Sequence, residues 1–323
     1  MKLQHSFRRR ALLGLALLAP LCALAQTYPA KPVIFVVPFA AGSATDQLAR
    51  ALGQSFTEQT KQAAVIDNKA GASGILAAQF VARAPADGYT VLITTNTTQA
   101  ANEHLFKKLT YDPVKDFAPV TGLGKGGQVL VVNASSPYKS VGELLAAAKA
   151  KPGRLSFGSG SSSSRVAGEL FHQMAGVDIL HVPYKSNPNA ITDLLGGQID
   201  MMITDTTTGV PQVKSGRLRA LGVSTAKRLA LLPDVPTIDE AGVKGYDMSY
   251  WFAAYVPANT PPAIVQKLHE TLTAALKSPG AKAFFEANGG EPFPTTPEAL
   301  AKFQLDEAKK WGKVIKAAGI EPE

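Results

Sequence analysis

The sequence predicts an α/β protein in two blocks, the second inserted between the two halves of the first. Short runs of β-branched residues alternate with helix-period segments through most of the chain, which points to sheets of mostly parallel strands. A glycine cluster at Gly122, Gly124, Gly126 and Gly127 interrupts the alternation, which then restarts. A chain of 323 residues also lies near the size at which one hydrophobic core splits into two.

The elements follow in order. Residues 33–37 read as a strand and 46–59 as its helix; residues 64–66 and 74–84 repeat the unit, and 90–94 form a third strand. A long irregular stretch follows, with a turn at Tyr111-Asp112-Pro113 and a short strand at 117–120. Beyond the glycines, the strand 129–133 opens the second block. It continues as helix 141–150, strand 155–157, helix 165–174, strand 179–182 and helix 190–195, then strands 199–203 and 218–223. The proline-containing stretch 232–236 marks the return. Pro262 starts a helix over 262–276, at a position where a missing N–H is no loss. Thr296 is the expected N-cap of an amphipathic helix over 297–315. The expected organisation is a leader at residues 1–25, a first domain at 26–125 and 236–323, and a second at 126–235.

The leader reads as a cleavable signal peptide. Lys2 and Arg8–Arg10 precede an apolar run of about eleven residues, and Ala23-Leu24-Ala25 places small residues before Gln26. That run is about half of the roughly 20 residues needed to span a bilayer. Cleavage between Ala25 and Gln26 is expected, by either the general or the twin-arginine route; lipid attachment at Cys22 is disfavoured by Leu21 before it. Cleavage removes four basic residues and the single cysteine, leaving 298 residues with net charge about +4 instead of +8. Such a balance argues little for a nucleic-acid partner.

Three strand-to-helix loops share one chemistry. They are the loop from Pro38 to Asp46, the loop from Asn68 to Gly74, and the run Gly158-Ser159-Gly160-Ser161-Ser162-Ser163-Ser164. Small residues let backbone N–H groups approach a ligand, and a helix N-terminus favours an anion. Hydroxyls add donors that rotate to fit carboxylate oxygens. Each loop alone is also an adequate helix cap, but three in two blocks favour a carboxylate site. No GxxxxGK[ST] is present, and Ala41-Gly42-Ser43-Ala44 lacks the GxGxxG spacing of a dinucleotide turn, which argues against phosphate-loop and dinucleotide chemistry at these loops. His172 and His181 lack the spacing of a metal site, so neither metal nor cofactor is expected. Ser159 and Ser161 lie in no GxSxG elbow, so a secreted serine hydrolase is the weaker alternative and no catalytic residue is assigned. Tyr246, Tyr250, Trp251, Phe252 and Tyr255 form an aromatic group with rings for the core and for a cleft.

A series of segments stands in order along the chain: Val37-Pro38-Phe39 with Asp46, Gly71-Ala72-Ser73-Gly74 and Ala84-Pro85-Ala86-Asp87-Gly88-Tyr89. They continue as Tyr111-Asp112-Pro113-Val114-Lys115-Asp116-Phe117, His181-Val182-Pro183-Tyr184-Lys185 and Leu232-Pro233-Asp234-Val235-Pro236. In these segments, their order and their spacing, the chain resembles the solute-binding proteins of tripartite tricarboxylate transporters, also called the Bordetella uptake gene family. The resemblance implies a two-lobed, type II-like periplasmic binding protein, a Venus flytrap closing a cleft between two α/β domains. It implies capture of a small mono- or dicarboxylate, an aromatic acid among the options. Delivery would be to two integral-membrane transporter subunits by a monomeric receptor, or alternatively to a membrane sensor kinase.

By the same resemblance, Phe39, Ala41, Gly42, Ser43 and Thr45, with Ala72, Ser73 and Gly74, hold a carboxylate, and Asp46 orients the first loop. Thr95 and Asn96 follow the third strand. Ser159, Gly160, Ser161, Pro183, Tyr184 and Ser186 supply the other lobe's contacts, and Thr204 and Asp205 border the distal end. Ala41-Gly42-Ser43 departs from the family's usual Pro-Gly-Gly, and Ser186-Asn187 stands where a glycine is usual, so ligand identity does not transfer.

Overall fold

The computed structural model describes residues 28–323, and the leader expected at residues 1–25 lies outside them. Strand β1 (Val33–Val37) pairs in parallel with β2 (Ala64–Asn68) and β3 (Thr90–Thr95). Helices α1 (Ala44–Thr60) and α2 (Ile75–Ala82) are the crossovers that parallel pairing requires. Leu48, Leu52 and Phe56 recur at helical spacing on α1 and bury against the sheet, with the Phe56 and Phe35 rings 5.3 Å apart. After β3 the expected irregular stretch is ordered instead. A π-helical turn (Thr97–Ala101) runs into α3 (Asn102–Leu105), and all five residues of the turn are buried.

Strand β4 (Phe117–Asn133) runs through the glycine cluster without a break. Its first part pairs with β9 (Ser249–Pro257), and its second part with β7 (Met201–Asp205) and β8 (Leu218–Val223). Two short predicted strands are therefore one long one. The glycines serve close approach rather than interruption: a Cβ on Gly122 would meet the Phe293 carbonyl, and one on Gly126 the Tyr250 phenol.

The second sheet has β5 (Ser156–Ser159) in parallel between β6 (Leu180–Pro183) and β7. Its helices are α4 (Val141–Ala150), α5 (Ser162–Met174), α6 (Asn187–Leu195) and α7 (Thr206–Lys214). Both sheets are mixed, not mostly parallel. Strands β1, β2 and β3, and likewise β5, β6 and β7, pair in parallel, whereas β4 and β9 pair antiparallel with their neighbours. β4 runs from the first sheet into the second and β9 returns alongside its first part, so neither belongs to a parallel crossover unit.

Residues 238–248 stay with the second sheet: Ile238 N–H donates to Val223 O at 2.8 Å, and Tyr246 OH to Ala167 O at 2.8 Å. Ser224, fully buried, joins the crossing segments. Its Oγ accepts from Gln128 N–H at 2.8 Å and its hydroxyl donates to Met248 O. The chain ends on the first lobe with α8 (Pro262–Ala275), α9 (Pro279–Asn288), β10 (Glu291–Pro292) and α10 (Pro297–Ala317). Thr296 caps α10 as expected, accepting from Ala299 N–H. The resulting architecture is the two-lobed α/β fold of periplasmic binding proteins.

Substituting Gly122→Ala forces the new methyl against a backbone carbonyl that cannot rotate away. We expect a loss of about 1–3 kcal/mol in urea unfolding; unchanged stability would show that β4 is not held as tightly as described.

Candidate functional site

A cavity lies between the lobes. From the first lobe it is lined by Phe39, Ser43, Ala44, Thr45, Thr95, Tyr250 and Phe252, and from the second by Gly160, Ser161, Ser163, Asn187 and Asp205. Gln128, on the crossing strand, completes the lining, which includes no lysine, arginine or histidine. The lobes touch around it: Ser162 Oγ donates to Asn102 Oδ1 at 2.6 Å, and the hydroxyls of Thr206 and Tyr250 stand 3.4 Å apart.

Two helix N-termini meet at this cavity. Ser43 is the N-cap of α1, its extended backbone letting Oγ accept from Asp46 N–H at 3.3 Å. Ser161 caps α5 in the same way and forms a capping box with Ser164. Each helix thus presents first-turn N–H groups and its positive dipole end to the cavity from opposite lobes. Gly160 is required beside Ser161, because any Cβ there would collide with the Ser186 carbonyl carbon and the Asn187 nitrogen. Its own N–H donates to Asn187 Oδ1 at 3.0 Å.

Asp46 holds the first loop from behind. Its carboxylate accepts from Gly42 N–H at 2.9 Å, Asn68 Nδ2 at 3.0 Å and Arg50 Nε at 3.0 Å, and Asn68 also donates to Phe39 O at 2.9 Å. Burial alone would raise the Asp46 carboxyl, but the hydrogen bonds from Arg50, Gly42 and Asn68 outweigh it and hold the group below the usual carboxylate range. The second loop has four successive residues at positive φ, Gly71, Ala72, Ser73 and Gly74, two of them not glycine. Asn102 Nδ2 pins this turn through Ser73 O at 3.0 Å.

A second cavity adjoins the first through the shared Ser161. Ser73, Ser159, Arg165, His181, Pro183, Tyr184 and Glu323 also line it. Ser159 Oγ and His181 Nε2 are 2.7 Å apart, and burial, then Arg165, push the His181 ring below its usual value. Among the described residues no carboxylate is hydrogen-bonded to that ring, so the pair lacks the third group of a hydrolytic triad. His172 lies elsewhere, with Nε2 2.6 Å from Glu169, and its pKa is raised by that partner. No cluster of three potential metal ligands occurs among the described residues.

Of the expected site residues, Phe39, Ser43, Thr45, Thr95, Gly160, Ser161 and Asp205 line the first cavity, and Ser73, Ser159, Pro183 and Tyr184 line the second. The others line neither, for local reasons. Ala41, Gly42 and Ala72 face solvent, whereas Asp46 and Gly74 are buried beneath their loops. Asn96 turns inward and accepts from Trp251 N–H at 3.3 Å, and Ser186, at the N-cap position of α6, donates its hydroxyl to Asn189 Oδ1 at 2.6 Å. Thr204 precedes Asp205 on β7 and so points to the opposite face. Gln128 was not foreseen. Tyr250 and Phe252 stand two apart on β9 and share the cavity face, whereas Trp251 between them donates to Glu307 at 3.0 Å. That alternation was available in the sequence.

The model of the tripartite tricarboxylate transporter family receptor matches residues 48–320. The chain is similar to a solved structure described as the periplasmic binding protein BugD, at 33% identity and a TM-score of 0.88, over 92% of this chain and 100% of that one. It is similar to R. palustris Rpa4515 with adipate, at 38% identity and a TM-score of 0.88, again over 92% and 100%. MatC from Rhodopseudomonas palustris with bound malate is 31% identical, with a TM-score of 0.85, over 89% and 100%.

Replacing Asp46 by Ala strands the Gly42 and Asn68 donors and costs about 1–3 kcal/mol of stability in denaturant unfolding. Because the native carboxyl is held below its unfolded value of about 3.9, its contribution is complete above that pH and is lost as pH falls through the native value. Stability of the natural chain should therefore fall more steeply below about pH 4 than that of the Asp46→Ala variant.

Proposed function

The chain belongs to the tripartite tricarboxylate transporter receptor family, and we propose that it captures a small organic acid in the interlobe cavity through the paired N-termini of α1 and α5. As a member it is a periplasmic solute-binding receptor rather than an enzyme. The observation that carries the reading is that Ser43 and Ser161, caps of helices on opposite lobes, line one cavity free of cationic side chains. Uncharged donors at helix ends hold a carboxylate firmly yet release it, and they strengthen as the cavity closes and water leaves.

In this reading Phe39, Ser43, Thr45, Thr95, Gly160, Ser161 and Asp205 contact the ligand. Ala41, Gly42, Asp46, Ala72, Gly74, Asn96, Ser186 and Thr204 keep the loops in shape. Ser73, Ser159, Pro183 and Tyr184 line the mouth. The lobes divide near residues 125 and 235, and the segment 238–248 packs with the second lobe before the chain rejoins the first at β9. Closure bends the two crossings near Gly126–Gln128 and Ser224, and the closed receptor hands its acid to two integral-membrane subunits. The leader directs export and is cleaved near Ala25/Gln26. The ligands of Rpa4515 and MatC, adipate and malate, support a small dicarboxylate as the class from which to start.

Calorimetric titration with mono- and dicarboxylates tests this better than tryptophan fluorescence, since Trp251 faces away from the cavity. Saturable binding of at least one acid is expected. Ser161→Asp keeps a good N-cap but sets a negative charge at the α5 terminus, and should weaken that acid by at least about 100-fold with little loss of stability. Unchanged affinity in the variant would contradict the proposed site.

A further inference from the structure

The second cavity carries a contact for which ligand capture has no use. Arg165 stands near the start of α5, on the second lobe, and its Nη1 donates to the side-chain carboxylate of Glu323. Glu323 is held by the first lobe. Its N–H donates to Leu105 O at 3.0 Å, and its carbonyl accepts from Lys107 N–H at 2.8 Å. Residues 319–323 thus form a strap that runs from α10 to the exit of α3. Gly319, at φ +67°, turns the chain out of α10, and Ile320 packs against the hydrophobic core.

The pair therefore joins the lobes. Every other ion pair among the described residues lies within one lobe. The neighbouring contacts across the boundary are short and neutral: Ser162 on Asn102, and the hydroxyls of Thr97 and Ser163, 3.5 Å apart. All of them land at the start of α5, so one corner of the first lobe grips one turn of the second. The two charged partners are unequally placed. The Arg165 side chain is 20% exposed, with Nε buried and without a hydrogen-bond partner, whereas the Glu323 side chain is 59% exposed. With the lobes together, the guanidinium is committed to this one carboxylate.

We infer that residues 319–323 are a latch: Glu323 holds the lobes closed by pairing with Arg165, and the cleft opens when that pair separates. Removing the carboxylate leaves a largely buried cation unpaired in the closed form, whereas parting the lobes returns the cation to water. The closed form alone is thereby penalised. Because Glu323 lies at the rim, within reach of solvent, the hold is modest and screened by salt, as reversible closure requires. The latch touches no ligand. It acts on the ratio of closed to open receptor, and through that ratio on the apparent affinity for whatever the cavity takes.

The test is small-angle X-ray scattering from the full mature chain, ligand-free and with saturating malate or adipate. Each is measured at low salt and at about 1 M salt, where the screening length falls to about 3 Å. Glu323→Gln keeps the shape and removes the charge; it should shift the closed-to-open ratio about 2–5-fold toward open, seen as a larger radius of gyration at low salt. Glu323→Lys, which sets like charges together, should shift it further. High salt should open the natural chain and leave Glu323→Gln unchanged. Glu323→Arg combined with Arg165→Glu exchanges the charges and should restore the natural scattering, which a mere loss of packing would not allow. Thermal unfolding verifies that the variants are folded, as expected for changes at a mostly exposed residue. Scattering from Glu323→Lys that superimposes on that of the natural chain in every condition overturns the latch, as does opening that the exchanged pair fails to reverse. Failure of every acid to bind in the calorimetric titration would overturn the acid-binding reading and leave the ligand-free scattering to decide the latch.

Discussion

One strand imposes the geometry of the whole molecule. Because β4 belongs to both sheets, the lobes cannot be arranged independently: residues that pair with its first part and residues that pair with its second are set in a fixed relation. Gln128 lies where the strand changes sheets, tied to Ser224 through its own N–H. The cavity opens at that crossing, so the strand that joins the lobes also contributes to the lining. Its glycines admit Phe293 and Tyr250 against the backbone, which packs the first lobe closely around a segment that any side chain would push apart.

The α/β class, the two-block organisation and most helices were legible because hydrophobic period and caps are local. Thr296 capping α10 and Pro262 opening α8 are both read from a few residues. The glycine cluster misled for a physical reason. Glycine marks either a free turn or a close approach, and only tertiary packing distinguishes the two. The same holds for the π-helical turn after β3, whose buried residues are held by long-range partners such as Gln304, donating to Gln99 O at 3.1 Å. Strand direction was misjudged because β4 crosses between lobes and β9 returns beside it, a relation with no local signature.

At the site, the loops were legible and the side-chain assignments only partly so. Ser43 and Ser161 follow from cap chemistry, which sequence displays directly. Gln128 was invisible, since it lies in a strand and acquires its importance from register with Asp205. Among the residues that line neither cavity, several still shape it. Asp46 and Asn68 hold the Phe39 and Gly42 backbone, and Asn102 joins the second loop to α5 through Ser73 and Ser162. The cavity is thus formed by caps and backbone, braced from behind by carboxylate and amide side chains. Such construction suits reversible capture, in which orientation matters more than charge neutralisation.

The most direct measurement is a crystal structure of the protein with the acid it binds most tightly. The account predicts carboxylate oxygens within about 3 Å of donors at the N-termini of both α1 and α5, between Phe39 and Tyr250. A carboxylate seated instead in the neighbouring cavity, on Arg165 and His181, would contradict it.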